Sequence, residues 1–245
     1  MMNKAVSINQ LTKHYGSTIA VNEVTFDIYE GELFGLLGMN GAGKTTLINM
    51  LSCISEPTSG DATIYGHSIV SQSDQVRSYI GVSPQETAIA PNLTVKENLL
   101  FMANIYGLSK HEARHQVEEM INVFSLQPYK NKKSKVLSGG WKRKLSIAMA
   151  LISKPKLLFL DEPTLGLDVI ARRELWTLIE QLKKTTTIIL TTHYLEEIEA
   201  LTDRLCMMKD GKVLAIGEIN ELNKRAGKEK FEDTFVEFVT GGIKS

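Results

Sequence analysis

The chain has 245 residues, 43% hydrophobic and 23% charged, the balance of a globular protein of one or two domains with length enough to bury a core. Lys and Arg together number 28, as do Asp and Glu, so the formal net charge is zero; this argues against a strongly basic nucleic-acid binder, although a local basic patch stays open. No apolar run approaches the ~18 residues that span a bilayer, the N-terminus lacks the apolar block of a secretory leader, and Cys53 and Cys206 have no CxxC spacing, which speaks against a disulfide scaffold or zinc finger and makes the cytoplasm the expected compartment.

Residues 6–9 and 24–29 alternate apolar with polar side chains and read as short strands, with Glu30-Gly31 as a turn. Residues 33–37 form an unbroken apolar run ahead of a Gly-rich loop, the pattern of a buried strand in a parallel sheet, and residues 44–53 read as a helix. Residues 79–83 are strand-like and lead to Gln85. From about residue 93 to 153 the pattern is helical. Asn92 or Thr94 is placed to cap a helix that Gly107 ends, Ser109 to cap a second that runs to Phe124, and Ser138 precedes a third that stops near Ser153, ahead of Pro155. A polar, Lys-rich connection fills 126–138. Strand and helix then alternate: strands at 157–160 and 187–191, helices over 169–184 and through Leu201, and a hairpin over 205–216 turning at Asp210-Gly211. The expectation is a nucleotide-type α/β core interrupted by a helical insertion and followed by a small polar tail.

Gly38-Met39-Asn40-Gly41-Ala42-Gly43-Lys44-Thr45 fits G-x-x-x-x-G-K-[ST] in full, between an expected strand and an expected helix. Glycines let the backbone curl so that N–H groups converge on a phosphate, and the helix start adds partial positive charge. Lys44 is expected to reach the β- and γ-phosphates and the Thr45 hydroxyl to ligate Mg²⁺. Asp161 and Glu162 end the apolar strand at 157–160, the edge where open parallel sheets bind ligands; Asp161 is expected to hold Mg²⁺, directly or through water, and Glu162 to activate the attacking water. His193 follows the strand that ends at Thr192, where the γ-phosphate should lie; a lone His is otherwise a structural or surface residue. Gln85 ends its strand in the same way, with an uncharged amide suited to touching Mg²⁺ or orienting water. Phosphoryl transfer needs such positioning more than covalent chemistry.

With these residues in place, the chain resembles the ATP-binding cassette of ABC transporters over essentially residues 4–217. Leu137-Ser138-Gly139-Gly140 resembles the family's signature motif at a helix start, and Gln85, the Leu165-Gly166-Leu167-Asp168 loop and His193 follow in family order. Tyr15 matches the aromatic that stacks on adenine. The resemblance implies an α/β fold: a P-loop NTPase core with an N-terminal antiparallel β subdomain and an inserted α-helical subdomain, over residues 1–217 with the insertion at about 86–153, and a short C-terminal extension at 218–245. It implies ATP and Mg²⁺ as ligands, with Tyr15, Gly38, Asn40, Gly41, Ala42, Gly43, Lys44, Thr45 and Thr46 on one face of the nucleotide and Ser138, Gly139 and Gly140 of a second cassette on the other. The implied catalytic set is Lys44, Gln85, Glu162 and His193, and the implied metal set Thr45, Gln85 and Asp161. The cassettes would pair head to tail, as a homodimer or heterodimer, with Asp168 at the seam. A separate membrane permease would hold them on the cytoplasmic face of the membrane, facing the helical insertion.

Trp141 stands where the family often has Gln and some exporter relatives Met, and Lys142-Arg143-Lys144 follow. Trp can cover a ribose or an interface, or pack only within the helical region; either way the phosphate contacts are expected from Ser138 and the glycine backbone. The basic stretch from Lys130 to Lys144 reads as a solvated face or as steering toward ATP or anionic headgroups. Phe231, Phe235, Phe238 and Val239 have helical spacing in a tail that resembles that of drug, antibiotic and polysaccharide exporters. Alternatives are an importer cassette, a soluble cassette ATPase of the iron–sulfur assembly type, and a regulatory module without catalysis; the intact set of Lys44, Thr45, Gln85, Asp161, Glu162 and His193 argues against the last.

Overall fold

The computed structural model describes residues 3–241. β1 (Lys4–Tyr15) and β2 (Thr18–Tyr29) form a long antiparallel hairpin, which outruns the short alternating stretches legible in the sequence. The pairing slips register at four points, and Gln10 and Glu23 take left-handed backbone angles (φ 47° and 49°). Each slip breaks the period-two pattern by which a strand is recognised. After β3 (Leu33–Leu37) and α1 (Lys44–Leu51), β4 (Ser59–Ile64) and β5 (His67–Ser68) complete this first sheet in the order β2-β1-β4-β5. β4 and α2 (Ser73–Tyr79) carry almost no hydrophobic signature: β4 begins Ser-Gly-Asp, and α2 buries only Val76.

The second sheet positions the site. Its order is β10-β9-β3-β8-β7-β6, built from β6 (Ile80–Ser83), β7 (Leu157–Asp161), β8 (Thr187–Thr192), β9 (Arg204–Lys209) and β10 (Lys212–Gly217) around β3. β9, β3, β8, β7 and β6 run parallel, and β10 is an antiparallel edge. Every residue of β3, β7 and β8 is buried, which is why β3 and residues 157–160 of β7 are continuous apolar runs and β8 is apolar at its centre. Because the strands are parallel and in close register (Leu37 opposite Thr192, Asp161 opposite Thr191), the loops after β3, β7, β8 and β6 emerge at one edge. Those loops carry the phosphate loop, Glu162, His193 and Gln85.

Between β6 and β7 lie α3 (Val95–Ile105), α4 (Lys110–Val123) and α5 (Gly139–Ala150). Thr94 and Ser109 each start a helix with a reciprocal capping box, to Glu97 and Glu112, and each such cap contributes about 1 kcal/mol. α5 stops at Ala150, three residues before the expected end. α6 (Val169–Lys183) starts at Asp168, whose carboxylate accepts from the Ile170 and Ala171 N–H groups. After α7 (Leu195–Leu201), β9 and β10, the tail forms α8 (Ile219–Ala226) and α9 (Phe231–Thr240). α9 follows the aromatic spacing: Phe231 and Phe238 are buried with Leu37, Ile198 and Leu222, and Phe235 packs beside them. α8 buries Leu222, with Ile219 and Ala226 packed beside it, an i, i+3, i+7 spacing in an otherwise polar stretch.

Candidate active site

The loop after β3 curls through Gly41 and Gly43, both at positive φ (84° and 100°). Gly43 is required twice over, since a Cβ there would also stand 2.4 Å from the Ala20 carbonyl oxygen. Gly43 is the N-cap of α1 and offers no side-chain acceptor, so the first N–H groups of the helix stay available to an anion. Gly38 lies beneath this cradle; its carbonyl accepts from Lys44 Nζ at 2.6 Å, and its lack of a Cβ leaves room for the Met208 carbonyl.

Three loop ends meet Lys44. Its Nζ lies 3.6 Å from Glu162 Oε1, and Glu162 Oε2 lies 2.9 Å from His193 Nδ1. Lys44 and Glu162 are each 6% exposed. Glu162 holds a left-handed backbone angle (φ 47°), a strain of about 1–3 kcal/mol that a packed surround must impose. Its N–H is anchored on the Thr191 carbonyl at 3.1 Å and the Thr191 hydroxyl at 3.0 Å. The same hydroxyl donates to Asp161, which Thr45 Oγ1 approaches at 3.4 Å. Thr45 and Asp161 present hard oxygen donors, and Gln85 lines the same cleft as Thr45; oxygen donors of this kind could hold Mg²⁺ beside phosphate oxygens. Beneath, Glu197 is fully buried and accepts from Trp176 Nε1 at 3.0 Å; burial pushes its carboxyl above the usual range, against hydrogen bonds from Thr192 and Trp176.

Above these groups opens a cleft of about 780 Å³, ample for a nucleotide. Asn40 to Thr46, Gln85, Glu162, His193 and Tyr15 line it. Tyr15 is half exposed, with Lys13 Nζ 5.2 Å from the ring centroid. Leu165, from the loop that ends at Asp168, also lines the cleft, as do Thr18, Ile19, Ala20 and Asp210, which sequence reasoning did not foresee. Asp210 was legible only as a hairpin turn. It arrives because Gly211 donates its N–H to the Ala42 carbonyl at 3.1 Å and accepts from Asn22 N–H at 2.8 Å. Ser138, Gly139 and Gly140 do not line this cleft. Ser138 and Gly139 are exposed, and the Ser138 hydroxyl makes no cap to α5. Trp141 packs on Tyr129 (ring centroids 4.8 Å apart), with Lys144 Nζ 4.5 Å over its face, the internal packing that was one of its two readings.

The model of the ABC transporter family matches residues 21–165 of this sequence. The chain is 40% identical over 243 residues to the doxorubicin resistance ATP-binding protein DrrA of Mycobacterium tuberculosis, covering 98% of this chain and 72% of that protein. The chain belongs to the ABC transporter family. This ABC subunit is also 39% identical to the linearmycin resistance ATP-binding protein LnrL of Bacillus subtilis, over 95% of its own length and 74% of that protein's. A solved ATP-binding cassette dimer, in a post-hydrolysis state with ADP and Pi, superposes with a TM-score of 0.78 at 28% identity, over 87% of this chain and 98% of that one. The ABC subunit is accordingly an ATP-binding, ATP-hydrolysing component of a transporter, with the mixed α/β fold of that family.

Proposed function

We propose that this ABC ATPase powers export through a separate membrane permease, and that it works as a head-to-tail dimer closed by two ATP molecules. The observation that carries the reading is that one chain holds two halves of a nucleotide site that do not meet. The cleft has the phosphate cradle, Lys44, Glu162 and His193, while the Ser138 end of α5 stands exposed and uncapped elsewhere on the chain. A helix start with free N–H groups suits the γ-phosphate of a neighbouring cassette's ATP. ATP would then stabilise the closed pair by binding it better than the open one.

Within the cleft, Tyr15 would stack on adenine and the amides from Asn40 to Thr46 would hold the phosphates, with Lys44 on the β- and γ-phosphates. Mg²⁺, held by Thr45, Asp161 and Gln85, would neutralise phosphate charge. Glu162 takes a proton from water, held in place by its bond to His193 and by Thr191 behind it. His193 keeps its second ring nitrogen for the γ-phosphate.

The helical segment from residue 86 to 153 would face the permease, and residues 218–245 would form the separate extension. Among the described residues no helix is long and apolar enough to cross a membrane; in this reading a separate permease would supply the spanning part and hold this subunit at the cytoplasmic face. Export follows the drug-resistance names of the two bacterial relatives. The test is the light-scattering mass of Glu162→Gln with and without Mg²⁺-ATP. A dimer that forms only with ATP is the expected result; a monomer with ATP demonstrably bound would overturn self-pairing and leave a different cassette as partner.

A further inference from the structure

Arg143 is 5% exposed and makes no ion pair among the described residues. Its guanidinium is spent on backbone: Nη1 donates to the Pro84 carbonyl at 2.7 Å and Nη2 to the Gln85 carbonyl at 2.6 Å. A buried charge without a counter-ion is expensive, and an apolar side chain would fill the space at lower cost. Burial holds the guanidinium pKa below its ordinary value, opposed by the charges of Asp161 and Glu197. Only the planar fork of Arg can hold two successive carbonyls at once.

The contact is the last of three between α5 and β6. At the far end, the Gly81 backbone lies so near α5 that a Cβ would stand 2.3 Å from the Ala150 carbonyl oxygen. Next, the buried Ser83 and Ser146 hydroxyls share a hydrogen bond of 3.0 Å. Then Arg143 takes Pro84 and Gln85. The pairs 81/150, 83/146 and 84–85/143 show that α5 runs antiparallel to β6, so its Ser138 end lies toward the same sheet edge as Gln85. Beyond Arg143 both segments emerge, and Gln85 and Ser138 are exposed.

We propose that Arg143 is a positioning residue: by gripping the Pro84 and Gln85 backbone from α5 it sets the Gln85 amide where bound Mg²⁺-nucleotide meets it. The proposal rests on the reading of Gln85 as a group that meets Mg²⁺ beside the γ-phosphate.

The test compares the affinity of the full chain for β,γ-imido-ATP in Mg²⁺ and in EDTA by calorimetry, for the parent, Arg143→Gln, Arg143→Lys, Gln85→Ala and the Arg143→Gln/Gln85→Ala double variant. Arg143→Gln removes the buried charge and keeps one donor, so it folds whether or not the proposal holds. The ratio of the two affinities should fall about tenfold in Arg143→Gln, the worth of one charge-assisted hydrogen bond, and less in Arg143→Lys. Affinity in EDTA should stay within about twofold of the parent, and the double variant should lose no more than Gln85→Ala alone. A parental ratio in Arg143→Gln beside a reduced one in Gln85→Ala would overturn the positioning role, as would full additivity or an equal loss in EDTA. A parental ratio in Gln85→Ala would overturn the reading of Gln85 itself, and the Arg143 proposal with it.

Discussion

Replacing Glu162 by Gln separates two tasks carried by one carboxylate. Its Oε1 lies 3.6 Å from Lys44 Nζ and its Oε2 lies 2.9 Å from His193 Nδ1. At an effective dielectric of ~20, unit charges at that first distance attract by about 4–5 kcal/mol before desolvation, and burying both charges offsets most of it. A net hold of ~1 kcal/mol on Lys44 is therefore a reasonable remainder, and it opposes ATP. The amide releases it, leaving Nζ on the Gly38 and Met39 carbonyls. ATP affinity should stay at the parental value or tighten by up to about fivefold. Turnover should fall by ~10²–10⁴ through loss of the base, about 3–5.5 kcal/mol of barrier. Calorimetric binding and single-turnover phosphate release measure the two effects on the same preparation. Turnover within a few-fold of the parent would refute Glu162 as the base, and weakened ATP binding would refute the competition for Lys44.

Lys44→Ala should weaken Mg²⁺-ATP binding by at least ~10²-fold, since two charge-assisted contacts to phosphate are lost; unchanged affinity in equilibrium dialysis would remove that role. Glu197→Gln should keep the Trp176 bond but lose a pH dependence. A buried carboxyl with a raised pKa favours the folded state fully below the unfolded value of about 4.3, and that stability is lost as pH rises through the folded value. The melting temperature of the variant should therefore gain on the parent from pH 5 to pH 8, and a difference that is flat with pH would contradict this. Trp141→Gln should leave ATPase activity within about threefold, because the indole packs on Tyr129 and the variant forfeits mainly core contacts; a large rise in phosphate release would show that Trp141 restrains the site.

The parts of the site legible in the sequence are those that sit on strand ends. Asp161 ends the apolar run of β7 and His193 follows the buried strand Thr187–Thr192, and once those strands are placed side by side in a parallel sheet their C-terminal residues must share an edge. The Lys44–Glu162 pair follows from that placement and needs no long-range guess. What stayed illegible depends on backbone meeting backbone. Nothing in Asp210-Gly211 says that this turn folds back onto the phosphate loop, since its bonds to Ala42 and Asn22 are made by main-chain atoms that every residue possesses. The Arg143 grip on Pro84 and Gln85 is hidden for the same reason, and in sequence Arg143 merely continues a basic run. The long β1–β2 hairpin is hidden because its bulges scramble the alternation, and α8 because Ile219, Leu222 and Ala226, though at helical spacing, are only three apolar residues in a short polar stretch.

The contact of Gly211 with the phosphate loop also sets a timetable for synthesis. β3 is a central strand, yet its neighbours are β8 and β9, some 150 residues further along, and the cradle at Gly43 is buttressed by the turn between β9 and β10. A ribosome releases the phosphate-loop sequence early but cannot release its supports until the chain has passed Gly211. Contacts so distant in sequence form late, after the local β1–β2 hairpin and the helices of the insertion. ATP is thus no template for the first half of this chain, and nascent chains arrested before residue 204 should gain no protease protection from Mg²⁺-ATP, whereas chains arrested well beyond Gly217 should.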